Sequence, residues 1–349
     1  MDERDVRDRL RAVEDPALGD DIVSLGLVNE VDASDERVAV DLGLGAPYSP
    51  AETAVAEEVR TTLTEADAGV EVELSASVDR GADGDVMPGV KNVIAVASGK
   101  GGVGKSTVAV NVAAGLADRG ARVGLFDADV YGPNVPRMLG AEEPPRATEE
   151  ETLVPPERYG MKLMSMAFLV GEDDPVIWRG PMVHKVITQL WEDVEWGALD
   201  YMVIDLPPGT GDTQLTLLQS VPITGAAVVT TPQPVAVDDA RKGLEMFGTH
   251  DTPVLGVVEN MGTFRCPDCG GEHDVFGSGG GRELADEHQL PFLGSIPLDP
   301  SVRTGDESGR PMVLDEGSEV GERFREVTAE IADSVGIVAR RTHAGRVEA

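Results

Sequence analysis

The sequence predicts an α/β protein: a mostly parallel sheet flanked by helices, preceded by a small α+β domain. Three observations lead there. From residue 93 onward, short Val/Ile/Ala runs recur without polar alternation, as in strands buried on both faces. Helical stretches separate these runs, as parallel crossovers require. The first 85 residues follow another pattern, with two amphipathic helical stretches and alternating strand-like runs.

In chain order, a helix is expected from Glu3 to Val13, then a loop holding Asp15-Pro16. Apolar runs follow around Gly26-Leu27-Val28 and from Val38 to Leu44. A helix over Ala51 to Thr64 and a strand over Val70 to Leu74 complete a domain of residues 1–85. Asp79 to Asp85 is polar and Gly-rich, and residues 86–92 are read as the linker. The larger domain spans 93–342. Its buried strands are Val93–Ala97, Arg122–Phe126, Tyr201–Ile204, Ala226–Thr230 and Val254–Val258. Helices are expected at Lys105–Asp118, Met182–Trp191 and Val235–Phe247. Gly140 to Pro156 is acidic and Pro-rich, hence a surface loop, and residues 343–349 are expected to be a disordered tail. Met161, Met164 and Met166 are read as core.

Composition narrows the function classes. At 41% apolar the chain can bury a core, which argues against disorder. It lacks a run of 18 apolar residues, and its charged N-terminus lacks a signal-peptide pattern, so a cytoplasmic protein without a membrane partner is expected. Acidic residues outnumber basic ones 63 to 29, giving a formal net charge of −34, and the acids are spread along the chain. Such a surface suits a high-salt cytoplasm, where counterions screen self-repulsion. No Lys/Arg cluster exists to displace counterions from phosphates, so nucleic acid is excluded as a partner.

One segment carries phosphate chemistry. Gly99-Lys100-Gly101-Gly102-Val103-Gly104-Lys105-Ser106-Thr107 contains GxxxxGK[ST], between a buried strand and a helix. The glycines let backbone N–H groups turn toward phosphate oxygens, and the helix N-terminus adds partial positive charge. Lys105 is expected to reach the β- and γ-phosphates of ATP and Ser106 to ligate Mg²⁺. Asp205 ends an apolar strand, as the Mg²⁺-side carboxylate of such a site does. Gly209, in Asp205-Leu206-Pro207-Pro208-Gly209, suits a mobile switch at the γ-phosphate. The guanine-reading NKxD pattern is absent, which favours ATP. Lys100 is one of only six lysines in the chain. With it the loop resembles the deviant Walker A of the MinD/ArsA/nitrogenase-iron-protein class. That resemblance implies that Lys100 reaches a partner's nucleotide across a dimer interface. It also implies that Asp129 activates the attacking water, that Asp127 and Asp205 serve the metal, and that Asn260 contacts adenine.

The chain's two cysteines, Cys266 and Cys269, form one CxxC. Two thiolates grip one metal centre, yet [4Fe–4S] clusters and structural zinc usually take four ligands. Two copies of the chain can supply four across a symmetry axis. A [4Fe–4S] cluster, a zinc-ribbon half and a redox dithiol all suit this pair.

Several runs together resemble the Mrp/ApbC family of iron–sulfur cluster carrier ATPases. They are the phosphate loop, Asp127-Ala128-Asp129-Val130-Tyr131-Gly132-Pro133-Asn134, Trp178-Arg179-Gly180-Pro181-Met182, Asp205 through Asp212, Glu259-Asn260-Met261 with the CxxC, and Phe276 through Gly281. The resemblance covers about residues 90–340. It implies an ATP-hydrolysing homodimer that bridges a [4Fe–4S] cluster through Cys266 and Cys269. It also implies a cluster assembly scaffold as donor and apo iron–sulfur proteins as acceptors. The alternative is a positioning ATPase of the MinD/ParA kind, in which a CxxC has no role. Asp15-Pro16-Ala17-Leu18-Gly19 and Ile22 through Val28 resemble the small domain of iron–sulfur assembly proteins. Where that domain often has a cysteine before proline, this chain has Ser49, a poor soft-metal ligand.

Overall fold

The computed structural model describes all residues except 35, 67–68, 79–88, 142, 151, 170–185, 187, 267 and 348–349. The expected Trp178–Met182 motif and most of the Met182–Trp191 helix lie outside the described residues. The chain divides into two compact units, Met1–Asp83 with Ala332–Ala349, and Gly84–Ile331.

In the first unit, α1 (Glu3–Leu10) and α2 (Pro50–Ala66) accompany the strands β1 (Val28–Ala33), β2 (Arg37–Leu42) and β3 (Glu71–Ala76). β1 pairs antiparallel with β2, and β2 pairs parallel with β3 through the α2 crossover. Asp2 caps α1 by accepting from Asp5 N at 2.9 Å. Val6, Leu10, Val38, Val40, Val59 and Leu63 close the core. Ser49 is fully buried, and its Oγ accepts from Glu52 N at 3.1 Å in the first turn of α2. At this position the chain has a helix cap instead of a thiol.

The last helix, α9 (Glu319–Val347), corrects the expected disordered tail over 343–347, while residues 348–349 of that tail lie outside the described residues. Its residues from Ala332 onward belong to the first unit, so the larger unit ends at 331 and not at 342. The physical reason is charge. Arg340 is 1% exposed, with Nε 2.6 Å from Asp15 Oδ2 and a second nitrogen 2.7 Å from Glu52 Oε1. His343 is buried too, its Nε2 at 2.8 Å from Asn29 Oδ1.

The second unit is built on a central sheet. Its strands are β4 (Val90–Ala97), β5 (Val123–Asp127), β6 (Glu157–Arg158), β7 (Met161–Ser165), β8 (Leu199–Asp205), β9 (Gly225–Thr230) and β10 (Val254–Glu259). A hairpin of β11 (Phe264–Arg265) and β12 (Glu272–His273) precedes the last sheet strand, β13 (Phe292–Ser295). Among the described residues the sheet has eight strands in the order β6-β7-β5-β8-β4-β9-β10-β13. Only the β6–β7 edge pair is antiparallel. Helices α3 (Lys105–Asp118), α4 (Val135–Met138), α5 (Asp212–Ser220), α6 (Pro234–Thr249), α7 (Gly280–Glu287) and α8 (Pro300–Ser308) occupy the connections. The expected linker over 86–92 ends early. Val90 pairs with Leu199 and Asn92 with Tyr201, so residues 90–92 are already strand.

Strand order reverses beside β4, with β8 on one side and β9 on the other. Parallel sheets bind ligands at the carboxyl ends of strands beside such a reversal. There the register does the positioning. Asp205 of β8 lies opposite Asp127 of β5, which lies opposite Ser165 of β7.

Candidate functional site: a phosphate loop over paired carboxylates

The loop from Ser98 to Gly104 joins β4 to α3, and two of its glycines are dictated by close approach. A Cβ on Gly99 would lie 2.1 Å from the Asp239 carbonyl carbon of α6. Gly104 has φ of +82°, and a Cβ there would lie 2.1 Å from Asn260 Nδ2. Ser98 O accepts from Gly209 N at 2.9 Å, which ties the loop to the Pro207-Pro208-Gly209 turn. The loop opens onto a cavity of about 460 Å³ that Lys100, Lys105, Ser106 and Thr107 line. Asp129, Arg137, Pro208 and Asp306 line it as well.

Lys105 is buried, and its Nζ donates to Asp205 Oδ1 at 2.5 Å. Burial pushes the Asp205 carboxyl upward against the opposing pull of Lys105. Asp127 is pushed up to about 7, first by burial and then by the neighbouring Asp205 carboxylate. Its Oδ2 accepts from Ser165 Oγ at 2.9 Å and Val135 N at 3.2 Å, and its Oδ1 accepts from Asp129 N at 3.2 Å. One carboxylate therefore closes the loop from Asp129 to Val135 at both ends. Asp129 Oδ1 accepts from Tyr131 N and Gly132 N, which holds the side chain at the cavity wall.

The donor set fits Mg²⁺. Asp205 Oδ2 is buried with no hydrogen-bond partner among the described residues, beside a second carboxylate and within reach of Ser106. A buried oxygen left without a partner is a ligand position in waiting.

Asn260 lies behind the loop. Its Nδ2 donates to Val103 O at 2.8 Å, so it buttresses the phosphate loop from the end of β10. Gly99 and Val103 likewise face the protein, not the cavity. Lys100 is half-buried, and its ammonium has no partner among the described residues.

Sequence reasoning missed several contributors. Ser165 was hidden among the Met161–Met166 core residues, though an apolar strand ending in a hydroxyl was the available signal. Asp306 carried no signal. It reaches the cavity from α8, its Oδ2 accepting from Thr107 Oγ1 at 3.3 Å, and burial pushes it up to about 6. Glu259 stands beside Asn260 in the sequence but has another task. Its carboxylate accepts from Gly281 N at 2.8 Å and Gly279 N at 3.3 Å, capping α7. That cap accounts for the glycine run Gly279-Gly280-Gly281.

The thiols sit on the β11–β12 hairpin. Cys266 N donates to Gly271 O and Gly270 N to Cys266 O, both at 2.8 Å. Gly270 takes φ of +69° to close the turn. Cys266 is half-buried and Cys269 exposed, and both are free. The backbone N–H of Cys269, then that of Asp268, and the Cys269 thiol hold the Cys266 thiol below its ordinary value. Among the described residues, no group of three His, Cys, Asp or Glu side chains is placed to hold a metal ion.

Comparison with known proteins agrees with this layout. Residues 89–332 match the family described as NUBPL iron-transfer P-loop NTPase, and residues 3–74 match iron-sulfur cluster assembly protein. The iron-sulfur cluster carrier protein of Deinococcus radiodurans is 46% identical over 332 residues, covering 94% of both chains. That of Escherichia coli K12 is 41% identical over 329 residues, covering 92% of this chain and 88% of its own. Among solved structures, the nucleotide-binding protein of Archaeoglobus fulgidus in complex with ADP is 38% identical with a TM-score of 0.58. It covers 67% of this chain and 93% of its own. The cell division ATPase MinD of Pyrococcus furiosus, at 24% identity and a TM-score of 0.53, shares the fold over 69% of this chain and 98% of its own. With its phosphate loop, its in-register carboxylates and a match over residues 89–332, the chain belongs to the iron-transfer P-loop NTPase family.

Proposed function

We propose that the chain is an ATP-hydrolysing carrier in which two copies hold one [4Fe–4S] cluster between their Cys266 and Cys269 thiolates and release it to apo iron–sulfur proteins. The observation that carries this reading is the half-site. Two free thiols share one exposed hairpin, and no described residue joins them as a third ligand. Four-thiolate ligation then requires a second copy. The cluster is the cargo, and a cluster assembly scaffold is its donor.

The nucleotide chemistry follows from the cavity. Lys105 must leave Asp205 to meet the β- and γ-phosphates of ATP. Ser106, Asp127 and Asp205 would hold Mg²⁺, which neutralises charge on the phosphate oxygens. Asp129, fixed at the wall by two backbone N–H groups, orients the attacking water. Lys100, without a partner among the described residues, reaches the nucleotide of the second copy. Asn260 contacts adenine if its amide exchanges Val103 O for the base. Because Asn260, six residues before Cys266, donates to Val103 O of the phosphate loop, nucleotide state is coupled to the hairpin that carries the thiols.

Anaerobic reconstitution with iron and sulfide tests the reading. A brown dimer with about four irons per pair of chains is expected, and Cys266→Ala should be colourless. A chain that stays monomeric with ATP and takes up no iron would sink the proposal. A colourless dimer with zinc would replace the cluster by a structural metal.

A further inference from the structure

We propose that Arg137 is a further phosphate-binding residue, acting within its own subunit on the polyphosphate of the bound nucleotide. The inference rests on nucleotide binding and is independent of cluster carriage. α4 is a single turn, and Val135, Pro136 and Met138 are buried in it. Arg137 alone is exposed, and it lines the nucleotide cavity together with Lys105 and Thr107.

Its base is fixed while its head is free. Val135 N donates to Asp127 Oδ2, which pins the turn to the carboxylate beside Asp205. Pro136 presets the first-turn backbone, and α4 packs against α8. The guanidinium has no carboxylate or carbonyl partner among the described residues, although acids outnumber bases 63 to 29. The acids of the cavity are engaged elsewhere. Asp129 accepts from Tyr131 N and Gly132 N, Asp306 from Thr107, and Glu307 pairs with Arg303 at 3.7 Å.

A guanidinium with no partner among the described residues, on a turn pinned to Asp127, is available to an anion, and the anion that this cavity takes is a polyphosphate. The planar fork can give two parallel N–H bonds to phosphate oxygens. Arg137 also meets the nucleotide first. Lys105 is held at 2.5 Å by Asp205 until phosphate displaces it, whereas Arg137 is available to draw the anion in.

The test compares the full-length wild type with Arg137→Ala and Arg137→Lys. Dissociation constants are measured for ATP, ADP and inorganic tripolyphosphate, with melting temperatures taken without nucleotide. ATP binding by the wild type tests the nucleotide reading separately. Arg137→Ala should weaken all three by about tenfold or more at an unchanged melting temperature, with Arg137→Lys in between. Constants within twofold of wild type overturn the proposal. So does a loss confined to ATP and ADP, which would place the contact on the nucleoside. A fall in kcat with unchanged binding overturns it as well.

Discussion

At the residue scale, the site is organised by two buried carboxylates that cannot comfortably both be charged. Asp127 and Asp205 stand in register on adjacent strands, and Lys105 compensates Asp205. Asp127 relies on dipoles from Ser165, Val135 N and Asp129 N, which do not outweigh burial and the Asp205 charge. Near neutral pH it is partly protonated in the nucleotide-free protein. In the proposed nucleotide complex Mg²⁺ would need it ionised, so metal–nucleotide binding should expel a proton. The sign follows from a folded value of about 7, raised above the ordinary carboxylate range. Release should be largest below pH 7 and fade as pH rises past it. Calorimetry in two buffers of different ionisation enthalpy at pH 6.5 and 8.5 measures it. Equal heats in both buffers at pH 6.5 would remove the argument.

At the element scale, opposite ends of the same strands do opposite jobs. The carboxyl ends of β5 and β8 hold charge in tension for chemistry. Near its start, β8 satisfies charge for stability. Asp200 accepts from Arg122 Nε, a second guanidinium nitrogen and Arg122 N, and pairs with Lys91 at 3.0 Å. It thereby joins β8 to β4 and to the residue before β5. Burial raises its carboxyl, but the Arg122 and Lys91 bonds win and hold it well below the usual range. A depressed folded value gives stability that is full above the unfolded value of about 3.9 and is lost only as pH falls from there through the much lower folded value. Asp200→Asn should therefore destabilise by about 1–2 kcal/mol at pH 7, since its cationic partners are half in solvent. Urea unfolding at about pH 7, 3.5 and 2 should show the gap between the two proteins nearly intact at pH 3.5 and narrowing only at the lowest pH. A constant gap would assign the effect to packing instead.

At the scale of the whole molecule, two charge effects act. A net charge of −34 repels itself over distances that salt shortens to about 8–10 Å at 0.1–0.15 M. The melting temperature should climb between millimolar and molar KCl, and equal values would refute the expectation. The first unit has the reverse arrangement, a buried cation between two acids. Burial pushes Glu52 upward against Arg340. Arg340→Ala leaves Asp15 and Glu52 without their cation, at a cost of about 3–5 kcal/mol to that unit. Hydrogen exchange in α2 should accelerate accordingly. Unchanged protection there would mean that the last helix is dispensable to the first unit.

The sequence by itself determined the α/β class and marked the phosphate loop, the acids Asp127, Asp129 and Asp205 and the paired thiols as candidates. Each of these is a local pattern, either residue spacing or an apolar strand ending in an acid. Only the tertiary structure decided that Ser165 and Asp306 join the nucleotide site and that Asn260 buttresses the loop from behind. It also decided that the chain's last turns belong to the first unit. These depend on register between strands distant in sequence and on burial of Arg340 against Asp15 and Glu52. A chain end rich in Arg and Gly reads as solvated until the acids that hold it are brought beside it by folding. Local spacing carries no information about which distant charge will arrive.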